Sequence, residues 1–179
     1  PNGAPIAARR AGFEAMMAAD PAPADCQIAP VAITPALGGE MVVAAGADPR
    51  RALLWLHGGQ FILGSSASYR GFAARVSAAS GLAVITPDYR LAPEHRYPAA
   101  HDDAATALVW AVARFGPVAV GGDSAGANLA LAAVQGQAGA ARALWLLSPW
   151  LCRSGRPSGL AAVRAARWAA AADGAGGRG

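Results

Sequence analysis

None of the fifteen basic residues in this 179-residue chain is a lysine, and only 15% of its residues are charged. With Ala and Gly so abundant, the all-arginine usage reads as a bias toward GC-rich codons rather than a binding device. The net charge of +4 is also concentrated: residues 1 to 152 hold ten Arg against ten acids, while residues 153 to 179 hold five Arg against Asp173 alone. A cationic surface would have to rest on that tail, where Ala and Gly dilute the Arg residues and Trp168 is the one aromatic, so no nucleic-acid partner is expected. Two cysteines, Cys26 and Cys152, are too few and too far apart for a disulfide framework or a zinc site, and both read as small buried hydrophobes. No window supplies the roughly 20 uncharged apolar residues of a membrane span. Arg9 and Arg10 are followed by Glu14 and Asp20, which is not the order of a secretory leader. A soluble, cytoplasmic chain is the expectation, with its oligomeric state left open.

What is present is a globular composition, 54% hydrophobic, long enough for one domain with a sizeable core. From about residue 50, strand and helix signals alternate as in a parallel sheet with crossover helices. Ala52 to Leu56 is a short apolar run ending at His57-Gly58-Gly59, and Leu82 to Thr86 is a second run stopped by Pro87. Between them Ser65 or Ser68 could cap a helix from about Arg70 to Ala79 that Gly81 would end. Ala99 to Phe115 carries Ala104, Leu108, Ala111, Val112 and Phe115 at helical spacing, and Gly116-Pro117 closes it. A strand from Pro117 to Val120, a helix from Ser124 or Ala125 to about Gln135 and a strand from Arg142 to Leu147 follow. Before residue 50, Ala7 to Ala19 reads as helix, and Cys26 to Thr34 with Glu40 to Ala45 as antiparallel strands around Gly38-Gly39. From Arg153 the only large apolar residues are Leu160, Val163 and Trp168, so residues 153 to 179 are expected to form a weakly ordered tail.

Two motifs carry chemistry. Gly122-Asp123-Ser124-Ala125-Gly126 lies between a strand and a helix, the context of a nucleophile elbow. A serine hydroxyl is a weak nucleophile, so it must be presented on a sharp turn and lose its proton to a neighbour as it attacks. The small flanks Gly122 and Gly126 permit such a turn, and the helix N-terminus behind Ser124 favours developing negative charge. About 65 residues upstream, His57-Gly58-Gly59-Gln60 leaves another strand and is placed to donate N–H groups to an oxyanion, with the N–H of Ala125 as the other contributor. Asp123 reads as orienting nearby backbone. Asp102 and Asp103, about 100° apart on a helix, read as a solvated face plus one buttressing bond rather than an acid/base pair. Trp55, Trp110, Trp145 and Trp150 read as core or sheet-edge packing.

Together with Asp88-Tyr89-Arg90-Leu91-Ala92-Pro93-Glu94, Tyr97-Pro98-Ala99-Ala100 and Leu147-Ser148-Pro149-Trp150, these motifs resemble the hormone-sensitive-lipase-like branch of the α/β-hydrolases. The resemblance runs from about Ala7 to Leu151 and implies a mostly parallel sheet with an antiparallel second strand and crossover helices on both faces. It further implies an N-terminal helical cap within residues 1 to 25, no cofactor and no metal, and hydrolysis of small carboxylic esters of short acyl chains. On that resemblance Ser124 is the nucleophile, Gly58, Gly59, Gln60 and Ala125 surround the oxyanion, and His57 braces the loop; Tyr89, Arg90 and Glu94 read as holding their turn together next to the site.

Two departures stand out. The family's loop usually reads His-Gly-Gly-Gly, whereas Gln60 here brings a side chain where close approach and a positive φ are wanted; it either perturbs the geometry mildly or sets an amide at the rim. After Ser124 the chain has no His and no Glu, and its one acid is Asp173, so the expected Ser, acid, His order is not completed. His95 and His101, flanking Tyr97-Pro98, read as structural. The change after Leu151 reads as truncation or a shifted frame, leaving a partial domain over residues 1 to 152 that lacks its C-terminal strands and exposes Arg142 to Leu147 as an edge. The rival readings are a non-catalytic small-molecule-binding protein of the same fold, as plant gibberellin receptors of this resemblance are, and a non-functional gene fragment.

Overall fold

The computed structural model describes residues 3–151, and the tail from 153, with Cys152 and Asp173, lies outside them. The chain runs α1 (Ile6–Ala18), β1 (Gln27–Thr34), β2 (Leu37–Val43), β3 (Asp48–Leu56), α2 (Arg70–Ser80), β4 (Leu82–Pro87), α3 (Ala99–Phe115), β5 (Val118–Asp123), α4 (Ala125–Gln135) and β6 (Ala141–Leu147). The strands form one sheet in the order β1-β2-β4-β3-β5-β6. The β1–β2 and β2–β4 pairs are antiparallel, and β3–β4, β3–β5 and β5–β6 are parallel.

The central strands read as continuous apolar runs because helices cover both of their faces. Successive residues divide between two cores: Leu54 and Leu56 join Ile85, Val120, Leu108 and Leu129 on the α3/α4 side, while Leu53 and Trp55 join Val84, Ala73 and Val76 on the α2 side. Alanines at 100, 104, 107 and 111 give α3 a narrow buried stripe that lets it sit close against the sheet. Gly81 ends α2 in the left-handed conformation, φ 69°, its N–H donating to Ser77 O at 2.9 Å.

Two local expectations are corrected. Gly38-Gly39 lies inside β2 rather than at the hairpin turn, which Thr34 closes by accepting the N–H groups of Ala36 and Leu37 at its hydroxyl. Neither Ser65 nor Ser68 caps α2; they bond each other's backbone N–H in a preceding turn, at 2.8 and 3.1 Å, and Tyr69 is the residue before the helix. On the far edge, β6 pairs only with β5 among the described residues, and Trp145 is 45% exposed there.

Candidate active site

The register Leu56↔Gly122 between parallel β3 and β5 places the two motifs side by side at the carboxyl ends of adjacent strands. Crevices beyond such strand ends are where open α/β sheets bind ligands. Ser124 turns the chain from β5 into α4 at φ 51°, ψ −112°, a strained conformation for a non-glycine residue. Its N–H donates to Leu147 O at 2.9 Å, and its carbonyl accepts from Trp150 N at 3.0 Å. Its side chain makes no cap bond to α4, which leaves the hydroxyl uncommitted to the helix.

Beside it, Gly59, Gln60 and Phe61 all have positive φ, at 119°, 60° and 63°. Gly59 O closes the turn by accepting from Ile62 N and Leu63 N at 3.0 and 2.9 Å. Gln60 therefore occupies a conformation glycine would adopt freely, at a cost of about 1–2 kcal/mol. Its amide reaches the rim, with Oε1 accepting from Arg9 Nη2 at 3.1 Å.

Asp123 anchors this loop. Its Oδ1 accepts from Gly58 N at 3.0 Å and Trp55 Nε1 at 3.2 Å, and its Oδ2 from Tyr69 Oη at 2.8 Å. Gly58 N also donates to Tyr69 Oη at 3.1 Å, so that N–H is committed twice within the protein. Among the described residues, the N–H groups of Gly59 and Gln60, and that of Ala125 in the first turn of α4, donate no such bond. Burial first, and then the Asp123 carboxylate, push the Tyr69 hydroxyl well above its ordinary value, so it stays a donor. Tyr69 is a site residue that sequence reading missed.

His57 is fully buried beneath Tyr89, their rings stacked with centroids 4.2 Å apart. Its Nδ1 lies 2.8 Å from Gly58 O, which can only accept, so Nδ1 carries the proton and Nε2 is a buried acceptor with no partner among the described residues. Tyr89 Oη donates to His57 O at 2.7 Å. Burial holds the imidazole below its usual pKa of 6.5. A depressed folded-state value means that the unfolded chain binds the extra proton, so this group's stability is complete above about pH 6.5 and falls as pH drops. The unfolding free energy obtained from urea titrations is expected to decline below that pH by up to about 1.4 kcal/mol per pH unit. His57→Phe should flatten that decline, and an unchanged slope in the variant would remove His57 as its source.

A cavity of about 450 Å³ opens next to the elbow, walled by Gln60, Phe61, Tyr97, His101, Asn128 and Trp150 among others. Ser124 is not in its wall, but Asn128, one turn along α4, is. Asn128 Oδ1 accepts from His101 Nε2 at 3.1 Å, and its Nδ2 donates to Trp150 O at 3.2 Å. His95 and His101 therefore face a cavity as well as flanking a turn, and Trp150 is wall rather than core. Among the described residues no histidine is hydrogen-bonded to Ser124. Behind the cavity Asp103 accepts the Arg90 N–H at 2.8 Å and both arms of its guanidinium, while Asp102 stays exposed.

The profile of the α/β-hydrolase fold matches residues 53–173. The chain belongs to the α/β-hydrolase family. An acetyl-hydrolase of Streptomyces hygroscopicus is 41% identical over 107 residues, 56% of this chain and 36% of that protein. A gibberellin receptor of Oryza sativa subsp. japonica is 34% identical over 130 residues, 66% of this chain and 37% of that protein. Among solved structures, an esterase from the bacterial hormone-sensitive lipase family superposes with a TM-score of 0.77 at 32% identity, covering 82% of this chain and 52% of that one. This α/β-hydrolase chain thus spans about a third of such curated relatives and about half of the solved structure. Among the described residues no helix is long and apolar enough to cross a membrane, and no His, Cys, Asp and Glu cluster could hold a metal.

Proposed function

We propose that this chain carries the nucleophile and oxyanion half of a serine carboxylic-ester hydrolase acting on small, short-chain esters. Ser124 Oγ attacks the carbonyl carbon, and the carbonyl oxygen becomes an oxyanion held by the N–H groups of Gly59, Gln60 and Ala125. The alcohol departs with a proton, and water releases the acid from the acyl-serine. Gly58 serves the anchoring of the loop, and His57 and Asp123 support it. The observation that carries this reading is a serine at φ 51° one strand away from a turn with uncommitted N–H donors. With no histidine on Ser124 among the described residues, this chain's own contribution is the regime in which about 10³–10⁴-fold catalysis over water survives loss of the base.

The expected result is Ser124-dependent release of p-nitrophenol from p-nitrophenyl acetate, with an acyl adduct on Ser124 found by mass spectrometry. A rate equal to that of Ser124→Ala would sink the reading. The alternative is reversible binding of a small molecule in the cavity beside the elbow. Its support is the 34% identity to a gibberellin receptor. Saturable binding unaffected by Ser124→Ala, with no acyl adduct, would favour it.

A further inference from the structure

Helix α1 buries no residue of its own, and Phe13 and Met17 pack only partly against the α2-side core. Much of its attachment is polar. Arg10 Nε donates to Ile62 O at 2.9 Å and Nη2 to Ala92 O at 3.1 Å, while Nη1 and Nη2 reach the two carboxylate oxygens of Glu94 at 2.8 and 2.7 Å. Those two carbonyls belong to the two loops that wall the cavity: Gln60 and Phe61 line it from one, Ala92 and His95 from the other. The loops are also bonded to each other, Ala92 N to Phe61 O at 2.8 Å.

We propose that Arg10 is a positioning residue that fixes the segment from Gly59 to Ile62 against the loop at 92–94, and so sets where the oxyanion donors stand. The link to those donors rests on the ester-hydrolase reading above; the clamping of the loops does not. The path is short: Arg10 holds Ile62 O, and Ile62 N holds Gly59 O. Between them Gln60 and Phe61 sit in the left-handed region, and such conformations persist only where the surroundings over-determine them. A guanidinium can grip two carbonyls and a carboxylate at once because its donors form a rigid fork; a lysine ammonium on the same stem is a point charge and cannot. The clamp stays charged across neutral pH, since Arg10 holds the Glu94 carboxyl well below the usual carboxylate range.

The test compares Arg10→Lys with Arg75→Ala. Arg75 pairs with Asp20 just beyond α1, so its loss loosens the helix end without touching either loop. Amide hydrogen exchange at residues 59–63 and 92–95 is expected to speed up about tenfold in Arg10→Lys and to stay near wild type in Arg75→Ala. Labelling of Ser124 by a fluorophosphonate should slow about tenfold in the first variant and less than about twofold in the second. Equal acceleration of exchange in both variants would reduce Arg10 to a fastener of α1, and no acceleration in Arg10→Lys would overturn the proposal. If wild type takes up no label on Ser124, the ester-hydrolase reading fails, and exchange alone decides the role of Arg10.

Discussion

Gly126→Ala is expected to destabilise the fold by about 3 kcal/mol or more, at or above the upper end of what overpacking a core usually costs. A Cβ at position 126 would drive into the carbonyl oxygens of Leu56 and His57, where β3 passes under the first turn of α4. Those are backbone atoms at the carboxyl end of a central strand, and they cannot swing aside as a side-chain tip could. Gly122 faces the same crossing from the other strand, its added Cβ meeting the Gly126 carbonyl carbon at 2.5 Å and Leu56 O at 2.7 Å. The sharp elbow therefore exists only because α4 can approach β3 and β5 at this distance. Gly136→Ala is the control, at φ −75° with its nearest neighbour, Ala133 O, 3.6 Å away. There alanine should be neutral or stabilise by about 0.4–1 kcal/mol, since it restricts the unfolded chain without a clash. Urea midpoints of the two variants against wild type decide the matter. Midpoints within experimental error of each other would mean that the elbow has room the backbone geometry denies.

The contrast between these two glycines shows which parts of the molecule could be read from sequence. Boundaries set by local chemistry were legible. Gly81 and Gly116 end α2 and α3 where expected, and the alternation of Leu53, Leu54, Trp55 and Leu56 between two cores follows from a run too apolar to face water. The association of His57-Gly58-Gly59 with Ser124 was legible too, because both motifs leave strand ends and strands of this topology lie side by side. Gly38-Gly39 misled because glycine pairs commonly mark turns. Here Gly39 is needed inside β2, where a Cβ would lie 2.7 Å from Pro87 Cα across the antiparallel pair, and no local pattern reveals a neighbouring strand's backbone. Tyr69, Arg10 and Trp150 escaped for the same reason. Each acts through a partner 22 to 84 residues away, such as Asp123, 54 residues from Tyr69, and Glu94, 84 residues from Arg10. Only the fold brings such pairs together.

Asp123→Ala should be the most damaging polar substitution near the site, costing about 1.5–3 kcal/mol, the range for hydrogen bonds to a charged group. Its carboxylate is the acceptor for three donors from three different elements: the backbone of the loop after β3, the indole of Trp55 within β3, and the hydroxyl of Tyr69 ahead of α2. Truncation leaves the Trp55 N–H, on a side chain with no exposure, without an acceptor, and each such orphan costs about 1–3 kcal/mol. Gly58 N would keep Tyr69 Oη, so the loop loses part of its anchor rather than all of it. Asp123→Asn should be intermediate. Its oxygen can still serve Gly58 and Trp55, but its NH₂ then points at a Tyr69 hydroxyl that already accepts from Gly58 N, and the Tyr69 proton loses its acceptor. Tyr69→Phe removes two hydrogen bonds, but Gly58 N keeps Asp123 Oδ1 and the carboxylate keeps two donors, so it should cost about 1 kcal/mol. Denaturant titrations should therefore rank Ala above Asn above the Tyr69 variant. Fluorophosphonate labelling of Ser124 should follow the same order, since every lost bond frees the strand end on which Gly59 and Gln60 are mounted. If Asp123→Ala proved as mild as Tyr69→Phe, the carboxylate would be a bystander and the loop would hold its shape through its other bonds, to His57, Tyr69, Tyr89 and Arg10.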